Sequence, residues 1–475
     1  MLSPPIGPDI PIVVVVVQKS CRLGQRVAGE VIGHHGALAS SDALTTIRDW
    51  IDGAGHESVT RVCLGPRPDN SPMTAAPSGS REARPIAVAL AGLLALAIAM
   101  GIGRFAFTPL LPMMLHDGVV DLSGASWLAT ANYLGYWLGA MACALQPALW
   151  RRWRRQVPLV HTTAIRAGLV ATVLLTLGMA LPAAALWPLW RGLAGVASAV
   201  VFVYVSGWCL ARLTALGAPS LGGIIYAGPG LGIAVSGLAA SVMVAHGVRA
   251  AVGWVAFALL AAGLTALAWP QLRGTVATAS AKRSADAPPP GLMMASFTLA
   301  YGLAGFGYII TATFLPVIAR QALPGSAWLD LFWPLFGLGV SAGALLTVRL
   351  PVQWDRRHLL MACYGLQAIG VLLSVWLPSL WGFAIGSLLL GLPFTAITLF
   401  AMQEARRLRP HDASAFIGLL TAAYGLGQIA GPPLVAWLLH RSATPGEGFA
   451  LSLQTAAAAL LCGVVIFGSL VRRHP

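Results

Sequence analysis

Charge is what this sequence has least of. Asp, Glu, Lys and Arg make up 10% of its 475 residues, against about 25% in an ordinary soluble domain. With 57% hydrophobic residues and a mean hydropathy of +0.76, so few charges cannot solvate a folded surface. A soluble enzyme is excluded. Acid is scarcer than base: 16 Asp and Glu face 30 Lys and Arg, a formal net charge of +14. Cysteine is scarce as well. Cys21, Cys63, Cys143, Cys209, Cys363 and Cys462 form no C-x-x-C pair and have no histidine at zinc-ligand spacing. Four of them lie in apolar runs, where cysteine acts as a small hydrophobe. No H-E-x-x-H, G-x-S-x-G, Walker or dinucleotide fingerprint appears. The expectation is therefore no catalytic residue, no metal, no cofactor and no ATP drive.

What the sequence does have is long apolar runs. Counting those near or above the ~20 residues that cross a bilayer gives twelve segments: 86–114, 124–149, 157–181, 184–211, 220–246, 250–270, 291–319, 328–349, 358–377, 380–403, 414–439 and 448–470. Their connectors are short except for 271–290, QLRGTVATASAKRSADAPPP, whose polar, proline-ended text reads as a flexible linker. The expected fold is an all-α polytopic membrane protein. A six-helix half at 86–270 is joined through 271–290 to a second at 291–470, with a short tail at 471–475.

Residues 1–72 read differently. Seven acids and six bases stand in them, and their longest apolar run, Ile12–Val17, is too short for a signal sequence or a span. The reading adopted is that Met73 is the start, 1–72 an over-extended reading frame and 73–85 a cytoplasmic lead-in. A cytosolic tail is the alternative.

The basic residues fix an expected orientation. With the N-terminus inside, 18 loop arginines and lysines fall on one side and only Arg249, Arg320 and Arg441 on the other. The positive-inside rule then puts both termini in the cytoplasm. Loop position accounts for most of the basic excess, so nucleic acid is not an expected partner. Trp150, Trp153, Trp187, Trp190, Trp269, Trp328, Trp354, Trp376 and Trp381 cluster near segment ends, where an indole N–H stays hydrated.

The halves also resemble one another. At an offset of 204, Gly101, Gly103 and Pro112 fall on Gly305, Gly307 and Pro316, and Gly135 and Gly139 fall on Gly339 and Gly343. At 203, Gly228-Pro229 falls on Gly431-Pro432. Six segments per half keep both copies in one orientation, a parallel repeat about an axis normal to the membrane.

This 6+6 repeat, with GIGRFAFTPLLPMM (101–114) and ANYLGYWLGA (131–140), resembles the YbfB/YjiJ-like branch of the major facilitator superfamily (MFS) across 86–470. The resemblance implies a twelve-helix transporter with segments 1, 4, 7 and 10 lining a central cavity. Arg191 and Gly195 match the R-x-x-x-G pattern that the superfamily links to proton movement. Gly228, Pro229 and Gly232 match its exporter-type G-P-x-x-G. The loop motif after segment 2 is degraded to WRRWRRQ, while its second-half counterpart keeps Asp355-Arg356. Gly228, Pro229, Gly232, Gly431, Pro432, Asp355 and Arg356 are the gating candidates.

An ionisable group inside a span costs roughly 2.5–3.5 kcal/mol on insertion scales, so each one asks for a reason. Inside the segments stand Arg104, His161, Arg166 and Arg191; from Met73 on, all nine acids fall in loops or at segment ends. Arg104 and Arg191 have similar depths and no internal carboxylate to pair with, which suits an anionic substrate. Alternatively, each bonds carbonyls released by the glycines and prolines of segment 1. Thr108 lies one turn beyond Arg104, and Tyr301, Tyr308 and Thr311 share one face of segment 7. These six are the substrate candidates. Asn132, Tyr133 and Gln428 read as packing or interhelical glue, His161 as an interfacial group and Arg166 as structurally paired.

The function expected is secondary transport of a small organic solute, leaning to export of an anionic or amphipathic compound by a monomer in the inner membrane, with protons as the family-implied coupling ion. Uptake of a small carboxylate or sugar-like solute is the alternative. A non-transporting sensor or scaffold is the alternative of another class.

Overall fold

Backbone amides in a bilayer have no water to bond, so a chain this apolar must satisfy them within helices. The structure, a computed structural model, describes residues 84–152, 161–273, 291–326, 328–351, 353–409 and 413–473. The 1–72 extension, nearly all of the lead-in, most of the 271–290 linker and most of the WRRWRRQ loop lie outside those residues.

Fourteen α-helices follow one another among the described residues. In the first half they are α1 (Pro85–Leu96), α2 (Phe107–His116), α3 (Leu122–Arg152), α4 (His161–Gly178), α5 (Trp187–Ala215), α6 (Gly228–Ala245) and α7 (Ala250–Ala268). The second half holds α8 (Gly291–Ala322), α9 (Phe332–Thr347), α10 (Arg356–Trp376), α11 (Leu380–Gly391), α12 (Phe394–Leu408), α13 (Ala413–Arg441) and α14 (Pro445–Arg473). Ten helical stretches among them are long and apolar enough to cross a membrane. Helices α3 and α13 are 31 and 29 residues long.

The first, fifth and tenth expected segments are interrupted, each at a residue that explains it, and the fourth and eighth open on short 3-10 turns, Ala184–Leu186 and Leu329–Leu331. The first runs as α1, a π-helical stretch Ala97–Ile102, four turn residues and α2. Gly103 N bonds Ile98 O at 2.8 Å and Phe105 N bonds Met100 O at 3.2 Å, both i to i−5, and Pro109 then brings no N–H of its own to the following turn. The fifth begins as a 3-10 stretch, Pro219–Ala227, before Gly228-Pro229 starts α6. The tenth breaks at Pro393, between α11 and α12.

Small residues set the packing. Gly135 of α3 lies so close to α5 that an added Cβ would stand 1.9 Å from Gly192 O. Its repeat partner Gly339 and the neighbouring Gly343 of α9 bring that helix onto the tenth segment in the same way, with 1.8 Å from a Cβ on Gly343 to Leu392 O. The G-x-x-x-G repeat therefore makes one kind of contact in both halves. Within the first half α3 and α4 pack on α5; within the second α13 and α14 pack on α8, and α10 on α14. Across the halves α3 meets α13, α6 meets α9 and α2 meets α8.

Outward-facing leucines, valines and tryptophans cover the periphery; Trp376 and Trp381, flanking the turn between α10 and α11, are 72% and 74% exposed. Such a belt is unsolvated in water and matched in lipid. The first and seventh segments are instead enclosed. Every residue of 95–114 and of 307–319 is buried. Both stretches extend towards the end of the molecule that carries His116, where α2 packs on α8. Thr108 Oγ1 donates to Ala312 O at 2.9 Å, and Tyr133 OH meets Thr313 Oγ1 at 2.8 Å. Since Thr313 Oγ1 donates to Ile309 O at 2.6 Å, the tyrosine supplies the proton of the second bond. These two bonds stitch the halves together.

Candidate functional site

The break in the first segment creates the site. It leaves the carbonyls of Gly103 and Arg104 without helical N–H partners, and Arg191 of α5 takes both: Nη1 to Gly103 O at 3.3 Å and Nη2 to Arg104 O at 3.1 Å. Its guanidinium lies 5.0 Å from the Phe107 ring centroid. Asn132 Nδ2 donates to Arg191 O at 2.8 Å, tying α3 to the same place. Of the two expected substrate arginines, this one has both terminal nitrogens engaged by backbone.

Arg104 is placed otherwise. It is 3% exposed, and its Nη2 donates across the halves to Gln428 Oε1 of α13 at 2.6 Å. The guanidinium lies over the Tyr136 ring at 4.0 Å, with Phe105 and Tyr133 each at 5.3 Å. Its Nε is buried without a partner. Among the described residues no ion pair involves Arg104 or Arg191.

Gln428 has its amide orientation dictated by this contact. An arginine only donates, so Oε1 must face it. Nε2 is then turned to donate to the Tyr308 hydroxyl, as it does. The Tyr308 ring stacks on Tyr424 (5.8 Å, 21°) and meets the edge of Phe394 at 5.0 Å. Tyr424 also packs on Tyr301 at 4.8 Å, and Tyr301 OH donates to Thr398 Oγ1 at 3.3 Å. Tyr301 and Tyr308 are buried, whereas Tyr136, Tyr424, Phe394 and Thr398 are half-buried. Thr311 Oγ1, one turn beyond Tyr308, is buried without a partner.

The fold thus gathers Arg104, Tyr301 and Tyr308 around one aromatic wall. Thr108 is engaged in the seam to α8, and Arg191 in holding the break. Gln428, Tyr424 and Tyr136 enter from segments that the resemblance leaves outside the cavity lining, and Phe394 enters from the tenth, which it places in that lining. A signal for two of them is present: Tyr424 and Gln428 are four apart, on one face of α13.

The gating candidates divide by location. Gly228 and Gly232 allow α6 to lie on the first segment: a Cβ on Gly232 would stand 2.4 Å from Ala97 O, and one on Gly101 2.4 Å from Gly232 Cα. Pro229 occupies the first turn of α6, where a missing N–H costs nothing. Gly431 faces the Ile309 side chain, and Pro432 sits within α13. Asp355 caps α10 by accepting from Arg357 N at 2.8 Å, and its carboxylate forks onto Arg357 Nε and Nη2 at 3.1 and 2.8 Å. Burial raises the Asp355 carboxyl, but the hydrogen bonds and charge of Arg357, aided by His358, outweigh it and hold the group below its usual value. Arg356, its neighbour in the motif, donates instead to Trp354 O at 2.9 Å. Glu404, expected at a segment end, lies one turn from the end of α12, yet it is 1% exposed, 3.6 Å from Arg407 Nη1. Arg166 Nη2 donates to Trp269 O at 3.1 Å, and His161 lies edge-on to Tyr204 at 5.4 Å.

A family model described as "Uncharacterised MFS-type transporter YbfB" matches residues 96–467. The chain belongs to that MFS transporter family. It is a multi-pass membrane transporter. Among solved structures it is similar to the nucleoside transporter NupG, at a TM-score of 0.59 and 14% identity over 82% of this chain and 99% of that one. A NupG variant gives 0.62 and 15% over 81% and 99%. The human organic anion transporter MFSD10 (TETRAN) gives 0.53 and 15%, again over 81% and 99%. A search among curated proteins finds no match in sequence.

Proposed function

We propose that this transporter carries a small organic anion with an apolar body by alternating access, with export as its direction. The observation that supports this reading is Arg104. A buried guanidinium held by one neutral amide and three aromatic rings is costly in a membrane protein unless a counter-ion arrives. A carboxylate or phosphate can supply one through two parallel hydrogen bonds. Of the structurally similar transporters, MFSD10 is named for organic anions and NupG for nucleosides; the site chemistry favours the first class.

The reading includes twelve spans, with α3 and α13 added to the ten, arranged as two six-helix bundles at 86–270 and 291–470 that rock about a midplane site. The uneven loop charge supports cytoplasmic termini and an inner-membrane location, and the G-P-x-x-G text supports export. A monomer suffices, because both halves of the site come from one chain. Protons remain the family-implied coupling ion, and facilitated diffusion is the form without them. Without an internal carboxylate partner at Arg104, a coupled proton would travel with the substrate, by water beside Arg191 or through His161.

Counterflow in proteoliposomes tests the reading. Organic acids should exchange, and their neutral amides should not. Equal exchange of acids and amides would overturn the anion argument in favour of a sugar-like solute, and no flux of any solute would favour the sensor reading.

A further inference from the structure

Gln428 sits where a substrate's anionic group would be expected. Its Oε1 is 2.6 Å from Arg104 Nη2, the place a carboxylate oxygen takes in a guanidinium pair. The amide is 1% exposed and reaches Arg104 from the opposite half of the chain. Its other end is committed to Tyr308 OH. Beside it, the rings of Tyr301, Tyr308, Tyr424 and Phe394 form a continuous wall at centroid separations of 4.8–5.8 Å. Two members of that wall, Tyr424 and Phe394, keep part of their surface uncovered.

We infer that Gln428 is an internal placeholder for the substrate's carboxylate, and that the substrate is an aromatic carboxylate whose ring seats on the tyrosine–phenylalanine wall. This rests on the anion reading above. A neutral amide oxygen bonds Arg104 with less attraction than an ionised oxygen offers, so an incoming carboxylate displaces it. Displacement cuts the direct bond between the first segment and α13 and releases Gln428 Nε2 from its fixed orientation towards Tyr308. Occupancy is thereby coupled to the contact between the halves. A flat ring suits the wall because aromatic faces and edges pair best with another π system.

The test is ligand-induced thermal stabilisation of the purified full chain with benzoate, 2-naphthoate and indole-3-acetate, each beside its primary amide and beside cyclohexanecarboxylate. For the wild type, at least one aromatic acid should raise Tm while its amide and cyclohexanecarboxylate do not. Gln428→Glu places a permanent carboxylate on Arg104. It should raise the unliganded Tm and weaken the aromatic acid by more than about tenfold. Gln428→Leu removes the placeholder and should bind the same acid at least as tightly as the wild type. If no acid exceeds its amide on the wild type, the anion reading itself fails. If an acid binds the wild type and Gln428→Glu equally, or binding is lost in Gln428→Leu, the placeholder fails and the anion reading survives. A response to cyclohexanecarboxylate equal to that of the aromatic acids overturns the ring assignment alone.

Discussion

Arg191 donates to the carbonyl of Arg104, so one arginine holds the backbone that aims the other. The two were alike in sequence, each an uncompensated charge at similar depth. In the folded chain, one fastens α5 to the broken first segment and the other presents its guanidinium to Gln428 and the rings.

Arg191→Lys should therefore behave as a structural lesion. An ammonium cannot span two carbonyls as a planar fork does, and a hydrogen bond to a charged group is worth about 1.5–3 kcal/mol. The expected result is a lowered Tm together with lost transport. Wild-type melting of the lysine variant would refute this.

Arg104→Ala should separate folding from function. Removing an uncompensated buried cation relieves a desolvation cost, while the Gln428 Oε1 it leaves unpaired costs about 1–3 kcal/mol, so the variant should stay folded with a small change in Tm while anion flux is abolished. Melting and counterflow on the same preparation decide it, and retained flux would count against the site.

Gly343→Ala should cost about 1–3 kcal/mol as overpacking, because its Cβ would meet Leu392 O at 1.8 Å. Gly207→Ala is the matched control. A Cβ there meets nothing within 4 Å, and alanine in a helix is favoured by roughly 0.5–1 kcal/mol. Opposite signs of the Tm change are expected.

Asp355→Ala should lower stability at neutral pH, with loss of the cap alone costing about 0.5–2 kcal/mol. The folded carboxyl is held below its ordinary value of 3.8. Its stabilisation is thus fully present above that value and is lost as pH falls through the folded value. The Tm gap between wild type and variant should be constant from neutral pH down to about 5 and narrow in stronger acid. A gap that widens on acidification would reverse the assignment.

The helical runs, their short connectors and the repeated glycines were legible in the sequence because hydropathy and small-residue spacing act locally. The break in the first segment was partly legible, since Gly101, Gly103, Pro109 and Pro112 announce released carbonyls. The pairing of Arg104 with Gln428 was not. Those residues are 324 positions apart, and no periodicity says which face of α13 meets which face of the first segment. Tyr136 and Tyr424 escaped for the same reason. Glu404 was placed correctly along the chain, near a helix end, but an acid near a helix end is ordinarily hydrated; its burial comes from the neighbours that close over it.

The seam near His116 is built from hydroxyls, Thr108 on Ala312 O and Tyr133 on Thr313, and no formal charge takes part in either bond. Ionic strength acts on charges, with a screening length of about 8 Å in physiological salt, and neutral buried donors offer it nothing to screen. Raising salt should leave these two bonds as they are, whereas the part-exposed Arg320–Asp330 ion pair at the same end would loosen. The contact between the first and seventh segments is in that sense insulated from the electrolyte, while the ion pair beside it is not.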